Sequence, residues 1–398
     1  MTQSRRYADH LRGLAKLAVT ATSGVTGVVE EMHTTIASGP AILGRPLSRP
    51  MRALLPLIYG RVRGVAGLVG TSIDLVLSWF DALLGEGAPS SEVDAVVAAL
   101  NGVIGDYLEQ TGNPLAIAMA CCADGLTLAL DEPLATQLPN ATGKVVVLIH
   151  GSSMNDRQWN RAGHDHGAAL ARDLGYTPIY LRYNSGLHIS ANGRSLSRML
   201  EALVDAWPVE LRELTLLGHS MGGLVARSAC HAAAQEQHHW PTKLGRLACL
   251  GSPHHGAPLE RGGNLVDVLL GVSRYSAPLA RLGQIRSAGV TDLRYGNVLD
   301  EDWHDQERFT HAGDVRHGLA LPRDVACFAI AGTLSEAMST KLRGDGLVPV
   351  DSALGRHARP DLVLSFPEDH QWIALRTGHV DLLSSGAVYE RLRGWLAN

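Results

Sequence analysis

A serine between two glycines, in Gly218-His219-Ser220-Met221-Gly222, is the first candidate for chemistry in this sequence. The apolar run at residues 214–217 predicts a buried strand before it, and residues 224–230 predict a helix after it. A G-x-S-x-G serine on such a strand–turn–helix junction exposes its hydroxyl as a nucleophile, and glycine lets neighbouring backbone approach. The helix N-terminus adds N–H donors where an oxyanion would form. A glycine-rich loop with a capping serine is the alternative interpretation.

A serine hydroxyl needs a base to take its proton, and the base needs a third group to orient it. In strand–turn–helix sites of this kind the chain order is serine, acid, histidine. Asp345 lies in a Gly-Asp-Gly loop after a predicted strand, and it is the candidate acid unless it only forms an Asp-Gly turn. Two histidines follow, and we expect His379, in a loop entering the last helix, rather than His370, which we expect to be a solvated loop residue.

An oxyanion hole needs two N–H donors. Met221, directly after the serine, should supply one of them. The loop after the first central strand should supply the other, with Ser152 as the first choice and Ser153 as the alternate. We expect His150, in the same loop, to shape the loop rather than to catalyse.

Secondary structure must position these candidate residues. From about residue 125 onward the sequence predicts alternating strands and helices. This alternation predicts an α/β fold with a mostly parallel sheet covered by helices on both faces. The predicted strands are at residues 126–130, 145–149, 178–183, 214–217, 247–250, 325–330 and 362–364. Helices are predicted near 165–174, at 195–207 and from the serine turn to about residue 237.

The sequence predicts two parts of different character. Residues 1–120 have apolar positions three and four apart, as in Val93, Val96, Val97, Leu100 and Ile104, and are expected to form an N-terminal helical extension. Residues 121–398 are expected to form the catalytic domain. The alternation lapses at about 257–321, which we interpret as an inserted cap that excludes water and shapes the pocket.

Three groups of motifs resemble the α/β-hydrolase superfamily, in its lipase and esterase branch. They are His150-Gly151, the Ser220 pentapeptide, and Gly344-Asp345-Gly346-Leu347-Val348-Pro349 with Gly378-His379. The segment Gly251-Ser252-Pro253-His254-His255-Gly256-Ala257-Pro258 is similar to the Gly-Thr-Pro-His-x-Gly stretch of lipases and of GPI inositol-deacylase-like hydrolases. The resemblance covers about residues 125–398 and implies hydrolysis of carboxylic esters through an acyl-serine. It does not extend to the N-terminal region, and the loop at His150 lacks the His-Gly-Gly-Gly form of one esterase group.

Charge is segregated in the N-terminal region. Residues 1–63 hold nine Lys or Arg against three Asp or Glu, whereas residues 64–142 hold ten Asp or Glu and no Lys or Arg. A basic, apolar-rich arm is compatible with peripheral contact to an anionic membrane. The interpretation we prefer is that these helices dock on the catalytic domain or pair between subunits.

Composition narrows the remaining classes. The net charge of −4 gives no reason to expect a nucleic-acid partner. Five cysteines, an odd number, do not predict a disulfide framework, and together with the absence of a convincing signal peptide or transmembrane span they favour a cytoplasmic protein. No cofactor is expected. The close pairs His164/His166, His238/His239 and His254/His255 lack the spacing of zinc ligands, so no metal is expected either.

Three functions therefore stay open at this stage. The first is an esterase or lipase acting on a small ester or a lipid. The second is an acyltransferase on the same fold, since fold does not fix the reaction. The third is a non-catalytic, membrane-associated binding protein. The acyl chain, the alcohol portion and the oligomeric state are not specified by the sequence.

Overall fold

The catalytic domain predicted from the sequence is described here from a computed structural model, which covers residues 90–257, 287–304, 314–339, 342 and 344–397. Most of the predicted N-terminal extension and the middle of the predicted cap, at 258–286, lie outside these residues. The chain divides into two compact units, of which one comprises residues 94–109 and 116–398 and contains the whole sheet. Within the described ranges, no helix combines the length and the apolar character of a membrane span.

A single sheet of eight strands is the centre of this unit. The strands are β1 (Ala120–Ala123), β2 (Leu126–Thr127), β3 (Lys144–Ile149), β4 (Thr177–Arg182), β5 (Glu213–His219), β6 (Leu244–Leu250), β7 (Ala326–Gly332) and β8 (Gln371–Ala374). They lie in the order β2-β1-β4-β3-β5-β6-β7-β8. β1 runs antiparallel to both of its neighbours, and the strands from β4 to β8 are parallel. The mostly parallel sheet predicted from the sequence is confirmed.

The helices lie on both sheet faces. They are α1 (Ser90–Gln110), α2 (Leu134–Gln137), α3 (His166–Leu174), α4 (Ile189–Asp205), α5 (Met221–Glu236), α6 (Ala288–Asp292), α7 (Val350–Ala353) and α8 (Gly386–Ala397). Alternate residues of β3 separate into two apolar clusters, because successive side chains of a strand point to opposite faces. Val145, Val147 and Ile149 pack with apolar residues of α4 and α5. Val146 and Leu148 pack with α3 and α8.

The order of strand connections predicts where in the sheet a ligand would bind. β3 pairs with β4 on one side and with β5 on the other, so the chain reverses its direction of growth around β3. In open α/β sheets, ligands bind outside the carboxyl ends of the strands at such a switch point. The loop after β3 and the turn after β5 meet there, and they carry Ser152 and Ser220.

The prediction of a strand at residues 362–364 is wrong. Residues Pro360–Leu362 form a 3₁₀ helix, and the last strand is β8. Leu362, Leu364 and Phe366 are buried while Val363 is 43% exposed, so the alternation belongs to a loop that covers the core. The true strand is short and begins with a glutamine after three polar residues, which hides its pattern.

Several predicted boundaries also move. The strand predicted at 126–130 is only the two residues of β2, and β1 precedes it. α4 begins at Ile189 rather than at residue 195, because its first turns bury small and polar side chains such as Ser190, Asn192 and Gly193. The helix predicted from the spacing of Val93 to Ile104 is α1, whose backbone leaves helical geometry at Ile104 (φ −134°, ψ 22°).

Candidate active site

Ser220 occupies a strained turn between β5 and α5. Its φ of 54° and ψ of −123° lie in a region that residues with a side chain rarely adopt, and such strain concentrates at functional sites. Gly218 and Gly222 allow the backbone of this turn to pack closely against its neighbours. A Cβ on Gly222 would lie 2.0 Å from the Ile149 carbonyl oxygen, and one on Gly218 would lie 2.4 Å from the Gly223 nitrogen. The sequence therefore needs glycine at both positions for α5 to begin against β3.

Asp345 and His379 form a buried pair. The Nδ1 atom of His379 lies 2.7 Å from Oδ2 of Asp345, and the side chains are 5% and 0% exposed. The other carboxylate oxygen accepts the backbone N–H groups of Leu347 and Val348, at 2.9 and 2.8 Å. A carboxylate only accepts, so Nδ1 of His379 is the donor and Nε2 is left as an acceptor.

Backbone contacts bring this pair to the serine turn. The Ser220 N–H donates to the Leu250 carbonyl at 2.8 Å, and the next residue, Gly251, lies against the pair. A Cβ on Gly251 would be 3.1 Å from Asp345 Oδ2 and 3.3 Å from His379 Nδ1. All three candidate residues thus lie at the carboxyl edge of the sheet, where their strands end.

No hydrogen bond joins His379 and Ser220 in this structure. Nε2 of His379 is buried without a hydrogen-bond partner, and the Ser220 hydroxyl makes no hydrogen bond with any described residue. In resting enzymes the bond between nucleophile and base is often long and tightens when substrate binds.

The candidate oxyanion donors differ in their hydrogen bonds. The Ser153 N–H donates to the Ser185 hydroxyl at 2.9 Å, so this alternate is already engaged. The N–H groups of Ser152 and Met221 make no hydrogen bond with the described residues. The residue before Ser152 also lies close to the serine turn, because a Cβ on Gly151 would be 3.1 Å from the Cβ of Ser220. The structure therefore leaves the preferred pair of donors available.

His219 contacts His379 on the side away from solvent. Its Nε2 lies 3.0 Å from the His379 carbonyl oxygen, which can only accept, so Nε2 carries the proton. Burial, with a further contribution from the charge of His379, lowers the pKa of His219 well below its usual value. The ring is thus neutral, and it positions the loop that carries His379. Apart from its position next to Ser220, nothing in the sequence pattern indicates this role for His219.

His150 shapes the loop after β3. Its Nδ1 hydrogen bonds to the Gly151 carbonyl at 2.8 Å, and its ring stacks on Tyr183 with centroids 4.2 Å apart. The Tyr183 hydroxyl donates to the His150 carbonyl at 2.8 Å. Burial lowers the pKa of His150 to about 4, so this ring is neutral as well. Its contacts with Tyr183 hold the loop after β3 against the end of β4.

His370 lies at the opposite edge of the sheet. It immediately precedes β8, its Nδ1 hydrogen bonds to the Cys327 carbonyl at 3.0 Å, and its ring contacts Phe328. The sequence analysis predicted a solvated loop residue, and this prediction is wrong, because His370 is partly buried. The amino end of β8 is the wrong edge for a partner of Ser220.

The paired histidines have structural partners. His164 and His166 bond each other at 2.8 Å, and His166 bonds the Leu382 carbonyl at 2.9 Å. His238 bonds the Ser197 hydroxyl, and His255 is 3.1 Å from the Arg316 guanidinium. No group of three or more potential ligands that could hold a metal occurs in the part of the chain described here.

Comparison with known protein families gives a match over the middle of the chain. Residues 140–321 match the family model of the PGAP1-like alpha/beta domain. This match includes Ser152 and Ser220 but ends before Asp345 and His379. No curated protein matches the sequence.

Solved structures with a similar fold include lipases and esterases. A lipase of Bacillus licheniformis is 18% identical, with a TM-score of 0.41, over 64% of this chain and 92% of that one. Lipase B of Aspergillus fumigatus is 10% identical, with a TM-score of 0.39, over 62% and 50%. An esterase of Pyrococcus furiosus is 14% identical, with a TM-score of 0.36, over 64% and 82%. The strand order and the family match over residues 140–321 confirm the α/β-hydrolase resemblance predicted from the sequence.

Proposed function

We propose that this α/β-hydrolase cleaves carboxylic esters, with Ser220 as the nucleophile, His379 as the base and Asp345 as the group that orients it. The observation that carries the proposal is the His379–Asp345 pair beside the strained Ser220 turn. The pair fixes one tautomer of His379, and that tautomer leaves Nε2 free to take the serine proton.

The reaction would proceed in two halves. In the first, Ser220 Oγ attacks the ester carbonyl while Nε2 of His379 accepts the hydroxyl proton, and the N–H groups of Met221 and Ser152 stabilise the oxyanion. The imidazolium returns the proton to the departing alkoxide, leaving an acyl-serine. In the second, water attacks the acyl carbon, with His379 again as base, and the carboxylic acid is released.

The experiment compares hydrolysis of p-nitrophenyl esters by the wild-type protein and by Ser220→Ala. We expect the variant to lose roughly 10⁴- to 10⁶-fold in kcat, because the members of such a triad act as a unit. Unchanged turnover by a folded Ser220→Ala protein would overturn the proposal. Addition of an alcohol separates hydrolysis from acyl transfer, since an acyltransferase would form the new ester in preference to the acid.

The substrate class is a small ester or a lipid. A series of p-nitrophenyl esters of increasing acyl length, with and without anionic lipid vesicles, measures the chain-length preference. The same series tests the alternative that the basic N-terminal region contacts membranes peripherally, against docking on the catalytic domain or pairing between subunits. Vesicles should raise the activity toward long-chain esters in low salt and lose that effect in high salt, because surface electrostatics are screened.

A further inference from the structure

We propose that α1, which is not part of the common hydrolase fold, positions the loop at residues 150–155 through Gly102 and Gly105. We call this loop, which follows β3 and carries Ser152, the oxyanion loop. The inference rests on the proposed function and deepens it, since it assigns a role in the reaction to residues that precede the sheet. It concerns the stretch 94–109, which belongs to the same compact unit as the sheet.

The direct contact is between Gly102 and Ser153. A Cβ on Gly102 would lie 1.9 Å from Ser153 Oγ and 2.8 Å from its Cα, so only glycine lets the helix approach this closely. Ser153 has a φ of 61°, a left-handed conformation that a serine keeps only when its surroundings hold it. Its neighbour Ser152 carries the N–H that would bind the oxyanion, so a displacement of Ser153 would shift that donor as well.

A second, indirect contact ties the same loop to α1 through the loop after β4. The Ser153 N–H donates to Ser185, and the neighbouring Asn184 donates from Nδ2 to the Gly105 carbonyl at 2.9 Å. A Cβ on Gly105 would lie 1.9 Å from Asn184 Oδ1. The loop after β3 is therefore tied to the loop after β4, and both rest on one face of α1.

The helix itself is fixed at several points. The Ser287 hydroxyl donates to the Gly102 carbonyl at 2.6 Å, and the Ala288 N–H donates to Asp106 Oδ2 at 3.0 Å. The Ile117 N–H donates to Asn101 Oδ1 at 2.9 Å. α1 is thus anchored independently of the oxyanion loop, as a positioning element must be.

The principal test is Gly102→Ala in the full-length protein. We expect kcat toward a p-nitrophenyl ester to fall about 100-fold with little change in KM, because a displacement of about 1 Å in a catalytic group has that effect. Binding of a trifluoromethyl ketone, whose tetrahedral adduct needs the oxyanion hole, should weaken by the same factor as kcat/KM. Adding Ser153→Gly, which removes the clashing hydroxyl and Cβ and tolerates a positive φ, should restore part of the activity, since the close approach to the Cα of residue 153 remains.

Two further variants keep the test decisive. Gly394→Ala on α8, where a Cβ would meet nothing within 4 Å, is the matched control and should retain wild-type kinetics. Ser185→Ala removes only the hydroxyl that accepts from Ser153, and we expect about a tenfold fall in kcat, the size of one lost hydrogen bond. Ser185→Ala decides the matter if Gly102→Ala does not fold.

The inference is overturned if Gly102→Ala or, failing that, Ser185→Ala has wild-type kcat. It is also overturned if kcat/KM falls while the affinity for the ketone is unchanged. These outcomes leave the proposed function intact, provided that Ser220→Ala is inactive. If Ser220→Ala instead retains wild-type turnover, both the proposed function and this inference are refuted.

Discussion

His379 and Asp345 are joined twice. The ring Nδ1 of His379 donates to Asp345 Oδ2 at 2.7 Å, and the His379 backbone N–H donates to the Asp345 carbonyl at 3.0 Å. The second bond fixes the separation of the two loops, so the ring has one position from which it can reach the carboxylate. Orientation of the base therefore depends on backbone as well as on side chains.

Asp345→Asn should lower kcat about 10⁴-fold while leaving the fold intact. The asparagine oxygen can still accept from Leu347 and Val348, which places its NH₂ group against Nδ1 of His379. Nδ1 then becomes an acceptor and Nε2 carries the proton, so His379 cannot take one from Ser220. Steady-state kinetics with a p-nitrophenyl ester, alongside a thermal melt, measure both effects.

The control for this variant is Asp351→Asn, whose side chain is 76% exposed. It should keep wild-type kcat, since surface carboxylates contribute little. An Asp345→Asn enzyme within tenfold of wild type would show that His379 does not depend on this carboxylate for its tautomer.

His219→Phe should lower kcat about tenfold with little change in KM. The substitution removes the N–H that donates to the His379 carbonyl, a single hydrogen bond that holds the loop of the base. His219→Gln retains an N–H donor at a similar reach and should recover most of the activity. Equal kinetics for the two variants would mean that the hydrogen bond has no part in positioning His379.

Buried neutral histidines make the protein less stable in acid. Burial lowers the pKa of His150 and of His166 to about 4, from 6.5 in the unfolded chain. Between these values the unfolded state binds more protons, so the free energy of unfolding falls as pH decreases from 6.5 toward 4. Each histidine contributes a slope of about 1.4 kcal/mol per pH unit in that window and none above it.

Denaturant unfolding across this range tests the contribution of one ring. His166→Asn cannot titrate, so its stability should depend less steeply on pH than that of the wild type, whereas the exposed His239→Asn should run parallel to the wild type. Parallel curves for His166→Asn and wild type would refute the assignment. The neutral His166 donates from Nε2 to the Leu382 carbonyl, so its Nδ1 is the acceptor from His164 Nε2, and protonation of Nδ1 in acid should break the bond between these two rings.

Much of the framework could be predicted because its signals are local. The continuous apolar run of β3 reflects burial on both faces, and the glycines around Ser220 reflect the close approach of α5 to β3. Asp345 and His379 each follow a predicted strand, so a parallel sheet places both at the carboxyl edge. The preference for His379 over His370 agrees with the sheet edge on which each lies.

Other features depend on contacts between distant segments, which periodicity does not reveal. Residues 362–364 alternate like a strand because a loop packs on the core, while β8 is a short edge strand with polar residues. The glycines of α1 weaken a helix prediction, yet they are required by Ser153 and Asn184. The bond between Ser153 and Ser185 spans 32 residues and leaves no trace in either local pattern.

The most direct test of the central claim is the mass of the enzyme during turnover of a slowly deacylated ester. The account predicts a stoichiometric burst of alcohol release and an added acyl group on the peptide that contains Ser220, both absent from Ser220→Ala. Hydrolysis without a burst, or an acyl group attached elsewhere, would contradict it.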